Sequence, residues 1–162
     1  MENLVGHVRK GAFMSNKAAG TKFEQEFAIA LADSWFWVHL FQDNKNGQPC
    51  DVIAAKNGKT YLFDCKDCQN GIFPLGRMRE NQYNAMYLFE LTGNSRGMFA
   101  IRFPSEEVYL MEYQIIKDLR EQGVRQIGRE ECRRYGKAFA DWMFERNAED
   151  GWGDKDGDCY LQ

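Results

Sequence analysis

The chain has 162 residues, 44% of them apolar and 14% aromatic, with a formal charge of −3. That length fits one domain with a real core, and no apolar run approaches the roughly 20 residues that cross a bilayer. The charge excludes a uniformly basic nucleic-acid coat but not a local DNA site, because residues 145–162 carry −4 and the rest +1.

Residues 1–19 hold His7, Arg9, Lys10 and Lys17 among glycines. They read either as a basic arm for phosphates or as a terminus without a role. No secretory h-region is present, and five cysteines without one read as reduced thiols in the cytoplasm. Residues 20–33 form a first helix, with Phe23, Phe27, Ala30 and Leu31 at helical spacing. Thr21 is a candidate N-cap, and Glu24 three residues later completes a capping box. Glu24 also points within about 20° of Leu31, so it borders the buried stripe. A carboxylate leaning towards the core needs a partner, either the cap or an active site. Glu26 lies further from that stripe. Residues 35–42 are aromatic and β-prone, and His39 within them reads as structural.

Asn57-Gly58, between two apolar runs, marks a type I′ hairpin. With those two residues as the loop, Lys56 faces Lys59, and Asp51 lands opposite Asp64. Lys66 projects from the same face, roughly 7 Å beyond Asp64. Like charges directly opposite in a sheet are destabilising. A Mg²⁺ or Mn²⁺ ion between the carboxylates removes the objection. The alternative is a solvent-facing hairpin screened by water and Lys66. Cys65 faces away from Asp64 and packs inward. Cys65 and Cys68 spell C-x-x-C, a zinc or redox signal, but the second pair of ligands that a closed zinc site needs is absent from the sequence.

Residues 76–91 read as a second helix stopped by Gly93, with Arg77 and Arg79 near its start as phosphate grips. Residues 97–103 and 107–111 read as strands broken at Pro104-Ser105, and residues 112–122 as a helix. Residues 128–145 read as one more helix. Its Arg129, Arg133, Arg134 and Lys137 make either a solvated face or a surface flanking DNA. Residues 146–162 form an acidic tail; its Asp154–Asp158 run lacks the ends of a Ca²⁺ loop. The divisions are thus a basic arm at 1–19, a globular domain at 20–145 and the tail. The element order gives an α/β fold, a mixed sheet with a central hairpin flanked by helices.

Pro49-Cys50-Asp51, twelve residues, then Asp64-Cys65-Lys66 resembles the PD-(D/E)xK signature of restriction-endonuclease-like nucleases. Cys50 interrupts the first dipeptide, and Asp64 stands where Glu is commoner. Gly20-Thr21-Lys22-Phe23-Glu24 upstream, then Phe73-Pro74-Leu75, Asn81-Gln82 and the run from Gly97 to Phe103 downstream, are similar in order and spacing to RecU-type Holliday junction resolvases. The resemblance covers roughly residues 16–113.

It implies a Mg²⁺-dependent endonuclease, with Mn²⁺ as a substitute ion, that resolves four-way DNA junctions as a homodimer. It further implies that Asp51, Asp64 and the Cys65 backbone carbonyl hold the metal, joined by Glu24, with Lys66 and Gln82 completing the catalytic set. Arg9, Lys10, Lys17, Lys22, Arg77 and Arg79 are the candidate DNA contacts. The 26 residues between Glu24 and Asp51 leave no room for the long stalk of that family. Two alternatives remain, a nuclease of this class acting on other DNA and a non-catalytic DNA-binding relative. A small zinc or redox module at Cys65 and Cys68 is a third.

Overall fold

The computed structural model describes residues 22–42 and 48–150. Arg9, Lys10, Lys17, the Thr21 cap, residues 43–47 and the tail beyond 150 lie outside the described residues. The first helix, α1 (Lys22–Asp33), buries Phe23, Phe27, Ala28 and Leu31, so Ala28 rather than Ala30 completes its stripe. Strand β1 (Trp37–Leu40) follows a turn in which Trp35 takes φ 65°. The hairpin β2 (Val52–Lys56) and β3 (Lys59–Asp67) turns at Asn57 and Gly58, both with positive φ, in the expected register from Lys56↔Lys59 to Val52↔Phe63.

Next come the two-residue β4 (Phe73–Pro74), a 3₁₀ turn at Leu75–Arg77 and α2 (Glu80–Leu91). The helix expected from residue 76 therefore starts at Glu80, because Met78 and Arg79 are extended. β5 (Met98–Arg102) and β6 (Val108–Glu112) pair antiparallel, and α3 (Tyr113–Glu121) follows. β7 (Gln126–Ile127) pairs with β4, a small second sheet that the sequence did not suggest.

The single helix expected at 128–145 is two, α4 (Arg129–Tyr135) and α5 (Phe139–Ala148). Between them β8 (Lys137–Ala138) joins the sheet edge beside β6. Gly136 makes the break, since a Cβ there would lie 2.5 Å from the Leu110 carbonyl oxygen and 2.6 Å from Met111 Sδ. α5 also runs three residues past the expected helix end.

The main sheet has the order β1-β2-β3-β5-β6-β8, and its one parallel pair, β3 with β5, flanks the hairpin. Alternate side chains of β3 feed two cores. Leu62 joins Phe99, Ile101, Met86, Ile116 and Cys132 on the α2, α3 and α4 side. Phe63 and Cys65 join Phe27, Leu31, Phe36 and Trp142 on the α1 and α5 side. The mixed sheet flanked by helices is the fold that the element order implied.

Candidate active site

The last residues of β3 lie where the β2 ladder has ended and where the first turns of α1 and α2 approach. There β3 keeps its ladder with β5 but has lost the one with β2, and on that open side, side chains take over backbone duties. The expected directly facing Asp51 and Asp64 are corrected in one respect. The ladder stops at Val52↔Phe63, and the Asp51 N–H donates to the Phe63 carbonyl at 2.9 Å, as in a bulge. The Cys65 N–H, left without a strand partner, donates instead to Asp51 Oδ2 at 2.6 Å. A charge-assisted bond to a carboxylate is a strong substitute for the lost ladder bond.

Asp64 is buried at 1% exposure. Its Oδ2 accepts a hydrogen bond from Gln82 Nε2. Its Oδ1 lies 2.5 Å from Lys66 Nζ as an ion contact, yet is buried without an aligned hydrogen bond. Gln82 is buried too, and its Oε1 accepts from the Arg79 N–H at 3.0 Å. One side chain thus ends the backbone of α2 and reaches Asp64. Lys66 Nζ stands 5.7 Å over the Phe99 ring, its side chain 12% exposed.

Burial and the neighbouring Asp64 push the Asp51 carboxyl up to about 7, with Glu24 adding to the rise; the Cys65 N–H and Lys66 oppose it. Burial also raises Asp64, against the pull of Lys66, Arg77 and Arg79. The charge of Glu24 is therefore felt at the centre of the site from α1, and those of Arg77 and Arg79 from the start of α2. Arg77 Nη1 also donates to the Asp67 carbonyl at 3.2 Å. Lys22 is exposed and pairs with Glu26 at 3.5 Å.

Among the described residues, no three His, Cys, Asp or Glu side chains converge as a ready metal cage. Mg²⁺ asks for less, since one or two carboxylates with water and phosphate suffice. The donors present fit such an ion: two crowded carboxylates, one held up by the other's charge, and one buried carboxylate oxygen without a hydrogen bond.

The C-x-x-C pair is not a site. Cys65 belongs to the core beneath α1, and Cys68 to the core on the other face of the sheet. Burial lifts the Cys65 thiol well above its ordinary value and the Cys50 thiol to about 12. Arg129, Arg133 and Lys137 pair with Glu107, Glu130 and Glu145, which favours the solvated face over the DNA-flanking one. Sequence reading assigned no role to Arg102, Asp67 and Glu26, which form a fork around the buried Arg102 beside the site. The available signal was one arginine inside an apolar strand, which has to find partners.

The model of the family described as RecU, Recombination protein U, matches residues 42–140. No curated protein sequence matches the chain. Among solved structures, Hjc of Archaeoglobus fulgidus, a Holliday junction resolvase from an archaeal hyperthermophile, shares the fold. The TM-score is 0.59 at 14% identity, over 76% of this chain and 99% of that one. With the family model spanning more than half its length, the chain belongs to the Recombination protein U family of Holliday junction resolvases.

Proposed function

We propose that this resolvase is a Mg²⁺-dependent endonuclease, with Mn²⁺ able to substitute, that Asp51, Asp64 and the Cys65 carbonyl hold the ion, and that Glu24 serves its water or a second ion. The observation that carries the reading is the pair of carboxylates beside the end of β3, Asp64 buried and Asp51 half-buried, where burial and then the charge of Asp64 push Asp51 up to about 7. A bound ion polarises the scissile phosphoryl oxygen and lowers the pKa of its water. Lys66, anchored by Asp64, orients the attacking water or stabilises charge that builds on phosphorus. Gln82 fixes the second oxygen of Asp64, leaving the carboxylate one orientation. Glu24 orients water or a second ion from the α1 side. Lys22, Arg77 and Arg79 supply local positive charge for the phosphates of the strands entering the site, in a chain whose net charge offers none.

A four-way junction is two-fold symmetric and needs two cuts, so a C₂ homodimer with one site per subunit fits it. The exposed Trp35 and Trp37 at the β1 edge of the sheet are our candidate contact. The free, buried Cys50, Cys65, Cys68 and Cys132 support a reducing, cytoplasmic setting. No described helix is long and apolar enough to cross a membrane. The test is incubation with a synthetic four-way junction and a linear duplex, in Mg²⁺, Mn²⁺ or chelator. Paired symmetric nicks in the junction alone, and only with an ion, are the expected result. Cutting in chelator overturns the metal reading, and equal cutting of linear duplex overturns junction preference.

A further inference from the structure

Every residue of β5 is buried, and Arg102 is the one charged side chain in it. Taking a guanidinium out of water is costly unless its donors are met. Here they are met from two directions. Arg102 Nε and Nη2 grip both oxygens of Asp67, at 3.2 and 2.7 Å. Its Nη1 donates to Glu26 Oε2 at 2.6 Å, with Glu106 further off at 3.4 Å. The guanidinium also stands 4.6 Å over the ring of Phe23. Asp67 is its register partner across the parallel β3–β5 ladder.

These partners adjoin the site in sequence. Asp67 follows Lys66, and Glu26 lies two residues after Glu24 on the same helix. The apolar stripe of α1 buries area against the sheet, and such contacts are not directional. They hold the helix down while permitting a small slide or roll. A planar fork with fixed donors does not permit it.

We propose that Arg102 is a positioning residue for junction cleavage, fastening the Glu24-bearing end of α1 to the end of β3 one residue beyond Lys66. This rests on the reading that Glu24 works at the metal site.

The test is a double-mutant cycle on the full chain: parent, Glu26→Gln, Glu24→Gln and both together, with Arg102→Lys alongside. Four quantities are measured: kcat and KM for junction cleavage, the melting temperature in chelator, and its rise on adding Mg²⁺. Glu26→Gln should lower kcat about ten-fold, since small misplacements near reacting groups cost that much or more. KM should stay near the parent's, and so should the chelator melting temperature, because the Glu26 side chain is 43% exposed. Arg102→Lys, which keeps the charge and loses the fork, should give the same split between kcat and KM. In the Glu24→Gln background, Glu26→Gln should add nothing.

Losses that add in that background, or a fall in melting temperature with kcat intact, overturn the proposal. Where Glu24→Gln leaves too little cleavage to measure, the cycle is read on the Mg²⁺-induced rise. Parental cleavage and a parental Mg²⁺ response in Glu24→Gln sink the Glu24 role itself, a distinct outcome. Glu26→Gln touches an exposed side chain, so it decides the question even if Arg102→Lys does not fold.

Discussion

At the tip of the β2–β3 hairpin each lysine has an acid beside it; at the base, a half-buried and a buried carboxylate share one corner. Lys56 Nζ meets Asp150 at 2.5 Å, the Ser34 carbonyl at 2.8 Å and Asn147 at 2.9 Å, and stands 5.0 Å over the Phe36 ring. Lys59 meets Glu149 at 3.1 Å, and Asn57 Nδ2 donates to Asp150. At the base burial and Asp64 raise the Asp51 carboxyl, both carboxylates lean on one lysine, and Oδ1 of Asp64 meets that lysine without an aligned hydrogen bond. The same two strands thus carry a closed electrostatic account at one end and an open one at the other. A local rule broken without a visible compensating gain marks the end that binds something.

The sharpest way to break the contrast is to neutralise the base. Asp51→Asn should cut junction cleavage by about 10³-fold or more, on the scale of losing a key electrostatic group. Junction binding should survive. In chelator the variant should be as stable as the parent or more so, by ~0.5 kcal/mol, the scale of a cross-strand pair. Mg²⁺ should raise the parent's melting temperature more than the variant's. Four melting curves check this, and a variant that melts far below the parent in chelator would make Asp51 a structural acceptor for the Cys65 N–H.

A second probe is pH. The folded Asp51 holds its proton up to about 7 while the unfolded chain releases it near the ordinary value. Between those limits the folded state binds more protons, so stability falls as pH rises through the interval. Denaturant titrations of metal-free protein from pH 4 to 8 should show that decline, and Asp51→Asn should flatten it.

The tip should answer in stability alone. Lys56→Met breaks the contacts to Asp150, Asn147 and Ser34, and should lower the melting temperature by several degrees with cleavage per folded molecule unchanged. Smallest of all is Lys59→Ala. Its pair with Glu149 lies half in water, so the change should stay within about 0.5 kcal/mol. A large effect there would mean that the two tip pairs act as one network.

What the sequence disclosed about this hairpin, and what it hid, follows the distance over which each feature is decided. The turn was legible because Asn57-Gly58 decides it locally, and its register fixed which side chains share a face. Gln82 could be placed near the site only by resemblance, since its bond to Asp64 spans 18 residues. The bulge at Asp51 depends on which acceptor the Cys65 N–H finds, a choice no pairing pattern encodes. The Arg102 fork joins residues 35 and 76 positions apart. The break at Gly136 was hidden because helical patterning is good on both sides of it. What forbids continuation is the nearness of the β6 backbone, a tertiary fact.

The clamp on the hairpin tip also has a timetable. Asn147 follows Lys56 by 91 positions, so a ribosome adding 5–20 residues each second reaches it roughly 5–20 s later. The ring of Trp142, 5.1 Å from Tyr61 and 5.7 Å from both Phe36 and Phe63, arrives in that same late stretch. During synthesis the strands that carry Asp51 and Asp64 therefore wait for seconds with an aromatic face uncovered. Nascent chains are open to aggregation in that interval, and the hairpin gains its full support only as α5 is made.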